Sequence, residues 1–332
     1  DGDDDEKKKK TAGTTLVLRD LNSGAQQTYP NVIRYWFSKS GSRLAFVTSV
    51  AVDTKAKPKK DEPKKAASPD ESGKPTDGVF VVDLNSLDSR RIADGEGEYK
   101  NVAFNDDGSQ LAFLTNKDDY QTKTSSWSLY HWKAGQKTAT KIADESSEGI
   151  PAGWWVSPVA TALFSEDGKR LFFDTAPVPE LVIKERKAAV DKKAGKSVKD
   201  ADEPKAKLDL WHWQDPQLQP QQLIEAERER RRSYRSVFNL RTRKIVQLAT
   251  KKIPNVRIDS RSTSRIAVAS SNMRYRKMLS WDTPGFQDTY LINLDTGASE
   301  LLVEKSKFRG SISPEGKYVT WFDAEQRLSL IH

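Results

Sequence analysis

One ten-residue plan recurs along this chain and constrains its fold more than any other feature. It reads FSKSGSRLAF at residues 37–46, FNDDGSQLAF at 104–113, FSEDGKRLFF at 164–173 and ISPEGKYVTW at 312–321. Each copy ends one short strand, turns through polar residues and a glycine, and starts another. Glycine supplies a positive φ and an Asp side chain can bond the following backbone, so each copy predicts a tight antiparallel hairpin. A worn copy lies at residues 256–268, where Arg261, Ser262 and Thr263 replace the glycine turn. The turn glycines Gly41, Gly108, Gly168 and Gly316 stand 67, 60 and 148 residues apart, with the worn copy dividing the last interval. That period suits a propeller blade carrying insertions.

A second plan alternates with the first: an alternating strand, a polar turn and another alternating strand, at residues 15–29, 79–93, 127–143, 236–249 and 289–303. One hairpin of each kind makes four antiparallel strands, which is one blade. Two β-sandwich domains would also contain short strands and frequent turns, but a sandwich has no reason to repeat one turn motif in phase with another. The expected fold is all-β, a β-propeller of four-stranded antiparallel blades. About five blades are visible, part of a seven- or eight-bladed whole, in one domain over residues 1–332. RLSLIH at 327–332 stops in mid-pattern, and DGDDDEKKKK at the start has no initiator Met, apolar leader or cleavage site, so both ends read as cuts through a longer protein.

Hydrophobic content of 36% and a mean hydropathy of −0.73 are low for such a fold, and two polar insertions account for the deficit. Residues 52–78 are rich in Lys, Pro, Asp and Glu and cannot offset the entropy of ordering, so they predict a disordered surface insertion. Residues 183–207 predict a protruding, partly disordered insertion with a helix-compatible middle, and LDLWHW at 208–213 predicts a return to strand. At 215–234, Pro216 and Pro220 precede strong helix formers, which predicts a rim excursion with a short helix and pairing of Glu225 with Arg228.

Cysteine is absent, which excludes a disulfide framework or thiolate metal site. No apolar run approaches the length of a membrane span. The net charge of +8 raises the question of nucleic acid. The excess sits in mixed-sign segments: residues 183–207 hold nine Lys or Arg against five Asp or Glu, and 225–235 hold five against three. A phosphate-binding surface needs cations without interleaved acids, so no nucleic-acid partner is expected.

No catalytic constellation is legible. There is no G-x-S-x-G elbow, and His131, His212 and His332 fall far apart in what read as alternating strands. No phosphate loop, Rossmann fingerprint or zinc motif occurs, and the NDDG and SEDG turns lack the alternating oxygen ligands of a calcium loop. No cofactor or metal is expected, and the segment by itself should not catalyse a reaction.

The FS-x-[DE]-G-x-x-[LI]-x-F hairpins resemble the propeller repeats of TolB-like proteins and of peptidases of the prolyl oligopeptidase and dipeptidyl peptidase family. GWWVSP (153–158), FSEDGKRLFFDTAPVPE (164–180), DLWHWQDPQLQPQQ (209–222), RSYRSVFNL (232–240) and SISPEGKYVTWFD (311–323) make the peptidase branch the closer match, over nearly the whole chain. The resemblance implies a non-catalytic propeller segment that gates or docks peptides for a C-terminal α/β-hydrolase domain, in a periplasmic or extracellular serine peptidase. A stand-alone TolB-like propeller that binds a protein or peptide is the alternative. Glu225, Glu227 and Glu229 do not match the family's paired acids, and that role is not transferred to them. Within a propeller, variable chemistry is left to the connections. Those at 149–158, 215–234 and 273–288 combine aromatic and charged groups, with Trp155, Arg228 and Trp281 as candidates for contacting peptide or hydrolase domain. Tryptophans that fill gaps between blades are the competing account.

Overall fold

The structure, a computed structural model, describes residues 10–50, 76–122, 124–159, 161–193, 212–259, 263–280, 282–323 and 328–331. These form two compact units. The first runs to Gln121 and takes in Ser128–Ile142, and the second comprises Thr122–Trp127 and the chain from Ala143 onward. The fold is all-β with two helical insertions, and its antiparallel meanders are propeller-type blades.

In the first unit, β1 (Thr14–Arg19), β2 (Gln26–Phe37), β3 (Arg43–Thr48), β4 (Gly78–Asp83) and β5 (Ser89–Asp94) make one sheet in sequence order. A four-stranded second sheet follows: β6 (Tyr99–Phe104), β7 (Gln110–Thr115), β8 (Ser128–Lys133) and β9 (Thr140–Ala143). The strand pair expected at 15–29 is not separate from the hairpin at 37–46. Instead β2 runs unbroken for 12 residues, pairing first with β1 and then with β3. A register shift between Val32 and Arg34, beside Asn31 at φ 58°, bends it in the middle. Tyr29 thereby meets Phe46 at a ring separation of 4.8 Å, and Leu16 and Leu18 of β1 pack on the cluster of Tyr29, Val32, Leu44, Phe46 and Val82. A separate core joins the two sheets through Val47, Val79, Ile92, Leu111 and Phe113. The inner strands are buried on both faces, which is why β3 and β7 read as continuous apolar runs.

The second unit holds three sheets. One consists of β10 (Trp154–Val156), β11 (Leu163–Phe164), β12 (Arg170–Pro177), β13 (Tyr234–Asn239) and β14 (Lys244–Gln247), with both β10 and β11 paired to β12. The next contains β15 (Asn255–Arg257), β16 (Ile266–Ser271), β17 (Gln287–Asn293) and β18 (Ser299–Ser306), and the last contains β19 (Ser311–Ile312), β20 (Val319–Asp323) and β21 (Leu328–Ile331). Phe172, Val237, Leu248, Ala267, Ala269 and Ile292 form the core between the first two. Of these, Phe172, Val237, Leu248 and Ile292 contribute roughly 1.5–3 kcal/mol each when fully buried.

The recurrent hairpin has one geometry. Gly41, Gly108, Gly168 and Gly316 all take positive φ, between 61° and 76°. Each of their amides donates to the carbonyl three residues earlier, on Ser38, Asn105, Ser165 and Ser313. The same four residues close the turn with their side chains, accepting from the amides of Arg43, Gln110, Arg170 and Tyr318. In the second kind of turn, Asp20, Asp83, Asn239 and Asn293 accept from backbone amides two or three residues on. Where glycine is missing there, Leu87 and Arg243 take the left-handed conformation instead, at φ 61° and 58°, a strain of about 1–2 kcal/mol each.

Because successive strands reverse direction, these tight turns lie on one edge of each sheet, except the β1–β2 turn at Asp20, which lies on the other. The other edge carries the connections between sheets and the long excursions that follow β3, β7, β12 and β16. One excursion is β12 to β13, with α1 (Glu180–Lys193) and α2 (Gln219–Arg230), and another is β16 to β17, with a 3₁₀ helix, Met273–Ser280. The excursion between β3 and β4 was expected to be disordered through residue 78. Residues 51–75 of it lie outside the described residues, but its end is structural. Asp77 is buried and accepts from the Val50 and Gly97 amides and from Lys10 at 2.6 Å, and Gly78 begins β4.

Candidate functional site

The three connections singled out by sequence come together on the excursion edge of the second unit. Trp154 on β10 lies against Tyr234 at the start of β13, with ring centroids 4.8 Å apart. Glu229, near the end of α2, reaches Arg276 of the 3₁₀ helix at 3.8 Å and is also held by Arg232. The Arg232 hydrogen bond comes first among the causes that keep the Glu229 carboxyl below its usual range. Pro220 falls in the first turn of α2, where its missing amide hydrogen is not needed, and Arg228 and Arg230 in the last turn complement the helix dipole.

Sequence treats 271–288 as a plain connection and does not foresee its helix. The anchor of that helix is Asp288, which is 1% exposed. One of its oxygens accepts the Tyr275 hydroxyl at 2.7 Å and the Lys305 amide at 3.1 Å, and the other accepts from Arg274 at 3.4 Å. Burial, followed by the hydrogen bond to Asp288, pushes the Tyr275 phenol up to about 12. Lys305 and Lys307 sit over the Phe286 ring at 5.0 and 4.9 Å, and Lys307 also pairs with Asp282.

Trp155 is buried on the opposite face of β10 from Trp154. The Arg186 guanidinium of α1 lies 5.8 Å from its ring centroid, and Nη1 of Arg186 donates to Glu145 at 2.9 Å. Asp174 is also buried, with Arg235 Nε at 2.9 Å and the Ser233 hydroxyl at 3.2 Å. Burial raises its pKa against the opposing pull of Arg235. Arg228 projects from α2 and pairs with Glu225 at 2.7 Å, as its spacing predicts. Glu227 is paired with Arg230 and Arg231 at 3.2 and 3.6 Å. All three glutamates of α2 thus have arginine partners within or next to their own helix. Trp155 and Arg228 stand on separate elements of this edge, and Trp281 lies outside the described residues.

The structure bears out the strand reading of His131 and corrects that of His212. His131 is a buried strand residue, with Nε2 2.9 Å from Gln110 Oε1. His212 is not on a strand: it sits in an irregular turn where its Nδ1 accepts the Gln214 amide, so residues 212–213 do not return to the sheet as expected. Residues 208–211 and His332 lie outside the described residues. The NDDG and SEDG segments are turns, with Asp107 accepting from the Ser109 amide and Asp167 from the Ser165 hydroxyl and the Lys169 amide. Among the described residues, no group of three or more His, Cys, Asp or Glu is placed to hold a metal ion, and no helix is long and apolar enough to cross a membrane.

Sequence also misses a device on the turn edge. Arg43 and Arg170 occupy equivalent positions after the hairpin glycine, and each reaches the turn of a following sheet, Arg43 to the Gly108 carbonyl at 2.8 Å and Arg170 to that of Ser264 at 3.2 Å. The signal was present in the repeat, as a long donor two residues past each glycine.

No family model and no curated protein matches the chain. Among solved structures it is similar to TolB from Acinetobacter baumannii, with 11% identity over 96% of this chain and 56% of that one, at a TM-score of 0.35. It is also similar to Porphyromonas gingivalis dipeptidyl peptidase 4, with 11% identity over 96% and 42% and a TM-score of 0.42, and to the acylaminoacyl peptidase of Pyrococcus horikoshii, with 14% identity over 91% and 38% and a TM-score of 0.38. The chain thus spans less than two thirds of the length of each of these structures.

Proposed function

We propose that this chain is the non-catalytic propeller segment of a serine peptidase of the prolyl oligopeptidase family, docking or gating peptides for an α/β-hydrolase domain that follows it in a periplasmic or extracellular protein. The observation that supports this reading most is the convergence of three aromatic and charged connections on one edge, through the Trp154–Tyr234 contact and the Glu229–Arg276 pair. A surface that combines rings, guanidinium groups and carboxylates suits the alternating apolar side chains and backbone dipoles of a peptide. The family likeness of the repeats supplies the hydrolase partner. Arg228 and Trp281 are proposed to contact the peptide or the partner domain, and the buried Trp155 to support this edge from beneath.

Calorimetric titration of the chain with short alanine- and proline-containing peptides tests docking. Arg228 is largely solvent-exposed, so Arg228→Ala should change stability by less than about 0.5 kcal/mol. A severalfold loss of peptide affinity in that variant is the expected result. Unchanged affinity removes Arg228 from the docking surface, and absence of peptide binding by the folded parent removes the docking reading itself. The partner domain is tested by sequencing the coding region beyond residue 332 for a G-x-S-x-G segment.

A further inference from the structure

Several guanidinium groups in this protein have a buried nitrogen with no hydrogen-bond partner, including Nη2 of Arg186 and Nη1 of Arg235. A buried unsatisfied donor is costly, and each invites a search for an acceptor that completes it. Arg235 lies on β13 beside Asp174, whose carboxylate takes its Nε. Arg186 differs because its side chain lines an open cavity of about 390 Å³ on the flank of α1, together with Lys187, Val190 and Asp191.

Arg186 uses one arm and the face of its guanidinium and leaves the other arm without a partner. Its plane is supported by the Trp155 ring, and Glu145 takes Nη1. Arginine presents a planar fork that matches a carboxylate, and stacking on an aromatic ring reduces the freedom lost when it binds one. Lys187 adds a second positive charge at the cavity, Val190 an apolar wall, and Asp191 a negative charge that disfavours a multiply charged anion over a single carboxylate.

We propose that the Arg186 cavity is a subsite for one carboxylate of a peptide, either a free C-terminus or an acidic side chain, with Arg186 Nη2 as its donor and Lys187 as the supporting charge. The carboxylate accepts from Nη2 once the guanidinium turns toward the cavity, with Nη1 remaining on Glu145 and the ring of Trp155 as the platform. This subsite rests on the docking reading above and adds to it a preference for the ligand's charge.

The test is calorimetric titration of the 332-residue chain at low salt with three forms of one alanine- and proline-containing pentapeptide. One is blocked at both ends, one has a free carboxyl end, and one is blocked but carries a single glutamate. A carboxylate form should bind about tenfold more tightly than the neutral form, the yield of one charge-assisted hydrogen bond. Whichever carboxylate form gains identifies the source. Arg186→Lys should reduce that advantage to about threefold or less, since it removes the fork and the stack. Glu145→Gln, which frees Nη1, should increase it, whereas Arg241→Lys, in a turn on the opposite edge, should leave it unchanged. Opposite effects from Arg186→Lys and Glu145→Gln cannot both arise from misfolding. Equal binding of all three peptides overturns the subsite while leaving docking intact, and no binding by any of them overturns both. An advantage that persists in Arg186→Lys also overturns the subsite.

Discussion

Removing the hydroxyl of Tyr275 isolates what holds the 3₁₀ helix to its sheet. In Tyr275→Phe the ring keeps its place against Phe286, 6.0 Å away between centroids, so little packing changes. What disappears is one buried hydrogen bond of 2.7 Å to a carboxylate. Asp288 keeps the Lys305 amide and Arg274. Hydrogen bonds to charged groups contribute about 1.5–3 kcal/mol, so the expected loss is about 2 kcal/mol, or roughly 30-fold in the unfolding equilibrium of the second unit. Equilibrium urea unfolding followed by tryptophan fluorescence measures it. The denaturant slope should be unchanged, because the buried surface is the same. A cycle with Asp288→Asn should give a coupling of about 1–2 kcal/mol. The pH dependence carries a sign: the Tyr275 phenol is raised in the folded state to about 12, so its contribution is complete below about pH 10 and is lost as pH rises toward 12. That part of the alkaline destabilisation should vanish in Tyr275→Phe. A variant within about 0.5 kcal/mol of the parent, or strictly additive single changes, refutes the claim that this bond anchors the helix.

Other outcomes follow from the same geometry. The purified chain should show no turnover of proline- or alanine-containing reporter peptides, and activity that survives repurification and serine-directed inhibition of contaminants would contradict the site analysis. Replacing residues 53–74 with a short Gly/Ser linker should shift the thermal midpoint by only a few degrees, because loop closure depends weakly on length, whereas extending the deletion through Asp77 should cost several degrees by removing the buried acceptor of Lys10 and two backbone amides. Gly149→Ala should be strongly destabilising, by about 2 kcal/mol or more in urea unfolding, since Gly149 has φ 94° and an added Cβ would lie 2.3 Å from the Ile245 carbonyl oxygen.

The blades were legible from sequence because their signals are local. A glycine with positive φ three residues after Ser or Asn, flanked by apolar strands, has one low-energy way to turn, and it repeats at Gly41, Gly108, Gly168 and Gly316. The three variable connections could be found for the same reason, since they are what remains between the repeats. Tertiary structure decided the rest. Whether β2 continues through Val32 or breaks there depends on Tyr29 meeting Phe46, a contact across the sheet that no local propensity contains. The residues 273–280 become a helix because Asp288, 13 positions after Tyr275, accepts its hydroxyl and is itself buried by the strands around it. Trp154 and Trp155 are adjacent in sequence, yet strand alternation sends one toward Tyr234 and the other beneath Arg186. Sequence specifies a hairpin through bonds between near neighbours, whereas the edge that carries the candidate site is assembled by contacts between residues tens of positions apart, and those exist only once the sheets have stacked.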